Sequence, residues 1–112
     1  MSEVVVVGSF RAKPGKEAEA REVFEALVAP THAESGCILY AFHQGADDPR
    51  QLAFIERWAS REEIDAHLNS PHVSDFLTRV EDLFGDGADI VLYEPLPGGE
   101  TKKGSLAAHA GG

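Results

Sequence analysis

Four valines in succession, Val4 to Val7, open a stretch that runs on through Phe10 to Arg11 with apolar side chains at odd and even positions alike, the pattern of a strand covered on both faces. Pro14-Gly15 interrupts it. From Lys16, the apolar residues Ala20, Val23, Phe24, Leu27 and Val28 recur at three- and four-residue spacing, which predicts an amphipathic helix reaching Pro30 or slightly beyond. After Ser35-Gly36, Cys37 to Gln44 reads as a second strand. The turn residues Gly45 to Pro49 then lead into a third, Gln51 to Trp58, so the two should form a hairpin. Ser60 followed by Glu63 is a capping box opening a short helix that carries Ile64, His67 and Leu68. Ser70-Pro71 restarts the helix, and Val73, Phe76, Leu77, Val80, Leu83 and Phe84 mark one face of it. Gly85-Asp86-Gly87 ends that helix before a fourth strand, Ile90 to Tyr93, which Pro95 and Pro97 close.

The order β-α-β-β-α-β is that of a ferredoxin-like α+β domain spanning residues 1–97. Residues 98–112, rich in Gly, Lys, Ser and Ala without periodicity, read as a flexible C-terminal tail. Helices can cover one sheet face, but strands one, three and four are apolar on both. A second copy packed sheet to sheet is the economical cover for the other, so a homodimer with the helices outside is expected.

Composition changes little in this picture. The chain has 112 residues, 43% apolar and 26% charged, enough for a single modest core. Its formal net charge of −9, from 19 acidic and 10 basic side chains, repels phosphate backbones and anionic lipid headgroups. Nucleic acid and membrane surfaces are therefore not expected partners. The single cysteine, Cys37, between Gly36 and Ile38, reads as a small buried hydrophobe, and the chain starts with neither a basic segment nor a long apolar one. A cytoplasmic location is expected.

Alternation along the third strand puts Phe54, Glu56 and Trp58 on the face toward the helices, and Ala53, Ile55 and Arg57 on the other. His67 lies on the helix side. The expectation is a cleft between sheet and helices, with aromatic walls from Phe54 and Trp58 and a Glu56–His67 pair. A carboxylate beside an imidazole fixes its tautomer and makes a competent general base near neutrality. The alternative is that His67 closes the core edge of its helix while Glu56 pairs with a surface cation. His67 and His72 are five apart with a proline between, unlike the i, i+4 spacing of helical zinc sites, so no metal site is read; His32 and His43 would complete one only if the fold brought them in. No dinucleotide-binding glycine pattern, phosphate loop or nucleophile elbow is present, so a redox reaction would need a reactive substrate of its own.

The stretches Phe54-Ile55-Glu56-Arg57-Trp58-Ala59-Ser60 and Ala66-His67-Leu68-Asn69-Ser70-Pro71-His72, with Arg11 to Gly15 and Glu34 to Cys37, resemble the antibiotic biosynthesis monooxygenase family, and most of all its quinol monooxygenase branch. The resemblance covers residues 4–96. It implies a dimeric α+β barrel and the oxidation of a small quinol or polyphenolic aromatic substrate by dioxygen with no cofactor. It also implies His67 as base, with Glu56 and Trp58 beside it and Phe54, His72, Phe76 and Phe24 contacting substrate. Where tailoring members of the family carry an asparagine and a tyrosine, this chain has Phe54 and Ile64. Where haem-degrading relatives carry an asparagine and a haem-ligating histidine, it has Gly8 and a residue near Leu77. A non-oxygenase of the same fold, a small-molecule isomerase or a stress-related ligand-binding dimer, is the alternative.

Overall fold

The computed structural model describes residues 3–109. Strands β1 (Val4–Arg11), β2 (Cys37–Gln44), β3 (Gln51–Trp58) and β4 (Ala88–Tyr93) form one antiparallel sheet in the order β2-β3-β1-β4. Helices α1 (Glu17–His32), α2 (Arg61–Leu68), α3 (Pro71–Leu77) and α4 (Val80–Phe84) complete the domain. This is the ferredoxin-like arrangement. No helix among the described residues is long and apolar enough to cross a membrane.

The expected strand alternation is observed. Val6 and Phe10 of β1 and Leu52, Phe54, Glu56 and Trp58 of β3 are buried under the helices. The registers Val6↔Glu56 and Val6↔Leu92 bring Glu56 and Leu92 onto this same face. Phe24 of α1 is the centre of the core, with its ring within 5.4 Å of the rings of Phe10, Phe42, Phe54, Phe76 and Phe84. Edge-to-face contacts of this kind add to the burial of the rings themselves.

The single helix expected over residues 71–84 is two. Thr78 Oγ1 donates to the Asp75 carbonyl at 2.7 Å, and the Thr78 and Arg79 amides turn to carbonyls three residues back, at 3.2 and 2.9 Å. This tightened turn ends α3, and α4 restarts at Val80 with Leu83 and Phe84 in the core. Leu77, expected on the buried face, is left 54% exposed. Cys37, expected to be buried, is half-buried; burial, with Glu34 and Glu56 nearby, pushes its thiol up to about 11, which suits packing rather than nucleophilic chemistry.

The opposite sheet face carries Val5 and Val7 of β1, Leu39 and Ala41 of β2, Ile55 of β3, and Val91 and Tyr93 of β4, aligned by the strand registers. No helix covers it. Ile90 and Tyr93 of the edge strand β4 are about half exposed, on opposite faces. Among the described residues, the one charged side chain buried on the outer face, Arg57, is held by a two-pronged ion pair with Glu3. Of the segment read as a tail, Leu106–His109 forms a 3-10 turn, and residues 110–112 lie outside the described residues.

Candidate active site

The Ser60 side chain accepts from the Glu63 amide and caps α2, as the capping box predicts. Two residues after α2, Ser70 caps α3 in the same way, with Pro71 in the first turn, and its hydroxyl also donates to the His67 carbonyl at 2.6 Å. The α2–α3 junction is thereby pinned, and it carries His67 on one side and His72 on the other, their rings 6.0 Å apart.

The loop between α1 and β2 packs against this junction. Gly36 lies where a Cβ would run into the Glu63 side chain, and its carbonyl accepts from the Ala59 amide at 3.1 Å. Only glycine allows so close an approach. Glu34 is thereby brought to the histidines: one oxygen, Oε2, lies 2.7 Å from His67 Nδ1 and 2.8 Å from His72 Nε2. A carboxylate only accepts, so both nitrogens carry protons in this arrangement. His67 Nε2 is left as the ring nitrogen with no hydrogen bond among the described residues.

The carboxylate beside His67 is thus Glu34, not Glu56. Glu56 is buried on β3, where its Oε1 accepts from Trp58 Nε1 at 2.8 Å. Burial pushes its carboxyl up to about 7; the Trp58 bond opposes the shift and the charge of Glu34 adds to it. Burial also raises the Tyr40 phenol well above its ordinary value, with the charge of Glu56 contributing.

A cavity of about 70 Å³ lies between sheet and helices. Glu56 and His67 reach its wall, Phe54, Phe76 and Tyr40 supply aromatic surface, and Leu68, Leu77 and Ile90, each about half exposed, form a rim where α2, α3 and β4 come together. Tyr40 stacks on Phe54 at 4.4 Å and meets His67 edge-on at 5.6 Å.

The expected site residues therefore divide. Glu56, His67, Phe54 and Phe76 line the cavity. Trp58 and Phe24 are fully buried behind it: Trp58 lies 4.7 Å from the His67 ring and bonds Glu56, and Phe24 belongs to the core. His72 lies outside, against Glu34. His32 and His43 are not brought in, since His32 Nε2 donates to the Tyr40 carbonyl at 2.9 Å and His43 is exposed. Glu34 and Tyr40 are the additions the structure makes.

A family model described as antibiotic biosynthesis monooxygenase matches residues 3–79. An uncharacterised Synechocystis protein, sll1783, is 30% identical over 91 residues; the match covers 81% of this chain but 62% of the relative's length. Rv0793 of Mycobacterium tuberculosis, provisionally named a monooxygenase, is 32% identical over 95 residues, covering 85% of this chain and 93% of its own. The structure of Rv0793 superposes with a TM-score of 0.81 over 88% of this chain and all of its own, at 30% identity. PA3566 of Pseudomonas aeruginosa superposes with the same score at 28% identity, over 86% and 96% of the two chains.

Proposed function

The chain belongs to the antibiotic biosynthesis monooxygenase family, and on that premise we propose that it oxidises a small quinol or polyphenolic substrate with dioxygen, without a bound cofactor, in the cavity between sheet and helices. The observation that carries this reading is the orientation of His67. With Nδ1–H given to Glu34, the neutral ring holds its lone pair on Nε2, and His67 lines a mostly apolar cavity that it shares with Glu56 and Tyr40.

In this scheme His67 Nε2 takes the phenolic proton. The phenolate passes one electron to dioxygen, the resulting phenoxyl and superoxide radicals join at a ring carbon that bears hydrogen, and the peroxide anion so formed takes the proton back from the His67 imidazolium. The hydroperoxide then loses that hydrogen as a proton while its O–O bond breaks, so one oxygen atom stays as a quinone carbonyl and the other leaves as water. A free phenol ionises near pH 10, so the protein must favour the anion. Glu56, partly protonated near neutrality, is the donor to the developing phenolate oxygen, and Phe54 and Phe76 hold the ring.

Oxygen uptake over a panel of quinols, anthrones and catechols tests the reading. Enzyme-dependent uptake with at least one of them is expected, and uptake with none would overturn it.

The unit is proposed to be a homodimer through the outer sheet face, which carries apolar residues of all four strands and which, among the described residues, only the C-terminal segment borders, at its Val5–Tyr93 corner. Ile55 sits near the middle of that face, between Val7 and Ala41. Ile55→Glu is expected to convert a dimer to a monomer in size-exclusion chromatography with light scattering. A wild-type monomer would refute the dimer.

A further inference from the structure

We propose that Glu34, His67 and His72 form a binding site for a divalent transition-metal ion of the zinc class at the α2–α3 junction. Their donor atoms, Oε2, Nδ1 and Nε2, all lie within 4.8 Å of one another, and both nitrogens already converge on the same oxygen. Two imidazoles and a carboxylate are a zinc-type donor set, whereas calcium and magnesium require mostly oxygen.

The setting is that of a built site. The His67 side chain is 7% exposed, Glu34 18% and His72 20%, so the local charge is shielded from bulk water while one edge stays open to an entering ion. Ser70 holds the frame, with its hydroxyl on the His67 carbonyl and 3.2 Å from His72 Nε2. The Glu34 oxygen now sits between two N–H groups. A bound ion takes the place of those two protons, with donors about 2.0–2.2 Å from the metal and roughly 3.3 Å from one another. That requires the two histidine nitrogens, now within 4.8 Å of one another, to close by up to about 1.5 Å and each to draw back from Oε2 by about 0.5 Å, which rotation of the partly exposed Glu34 and His72 side chains supplies.

Metal on Nδ1 also leaves the remaining ring proton on Nε2, which removes the lone pair that the proposed oxidation uses. This consequence alone rests on the proposed function: zinc would act as an inhibitor that a chelator reverses.

The test is titration of chelator-treated protein with Zn²⁺ in competition with a chromophoric chelator, with no turnover involved, so the result stands whether or not oxygen uptake is ever found. One ion per chain is expected. His72→Ala and Glu34→Gln should each weaken binding by at least the ~100-fold that even outer-sphere substitutions reach, while His43→Ala leaves it unchanged. Glu34→Gln keeps a carbonyl acceptor for both N–H groups, so it serves if His72→Ala does not fold. Wild-type affinity no tighter than that of these variants, or a stoichiometric site that survives in Glu34→Gln, would overturn the proposal.

Discussion

His67→Gln is expected to lower the rate of oxygen uptake by about 10²–10⁴-fold, the usual contribution of a positioned general base, with little change in the apparent KM. Glutamine is chosen because alanine would leave a hole beside Trp58 and strip Glu34 of one of its two donors. A glutamine amide restores an N–H near Glu34 but offers no basic nitrogen to the cavity. If His67 instead only closes the core edge of α2, the variant should lose stability and keep its rate per folded molecule. Rate and melting temperature measured on the same preparation separate the two. Glu34→Gln should lower the rate as well, because a neutral partner no longer favours the Nδ1–H tautomer or the imidazolium formed on proton transfer. A smaller loss is expected there than at His67, since the base itself remains.

The sequence and the structure agree most closely where a single physical rule decides the outcome. The valine run and the alternation of β3 specify strands whose register brings Phe54, Glu56 and Trp58 under the helices, and Ser60 and Ser70-Pro71 mark both helix starts because a cap is a local bond. The division between α3 and α4 is not visible in hydrophobic spacing, since it depends on Thr78 turning its hydroxyl to its own backbone. Residue alternation places Glu56 on the correct face but does not choose its partner. Trp58, two positions along the same face, has an indole N–H to give and satisfies it first. Glu34 lies in a loop with no periodicity, 33 residues from His67, and only the close approach at Gly36 brings the two together. That glycine, two residues after Glu34 and directly ahead of a strand, is the signal that could have been used.

Glu56→Gln is expected to stabilise the protein at alkaline pH and to flatten the dependence of its stability on pH. The Glu56 carboxyl has an ordinary value of 4.5 and is pushed up to about 7 in the folded chain, chiefly by burial. Between those values the folded state holds a proton that the unfolded state has released. Stability therefore falls as pH rises from about 4.5 through 7, because burying the charged form becomes the cost of folding. At about 1.36 kcal/mol per unit the loss amounts to roughly 3 kcal/mol once the pH is above the folded value. Glutamine carries no charge to desolvate and keeps an oxygen for Trp58 Nε1, so it avoids this cost while retaining the bond. Thermal melts of wild type and variant from pH 5 to 8.5 should diverge, with the variant's advantage small at the acid end and largest at the alkaline end. Taking the difference between the two proteins cancels the titration of groups that do not interact with Glu56; Glu34, whose charge raises the Glu56 value, stays coupled to it. Parallel curves across that range would mean that Glu56 is not a buried acid of raised pKa, and its role as donor to the phenolate would fall with it.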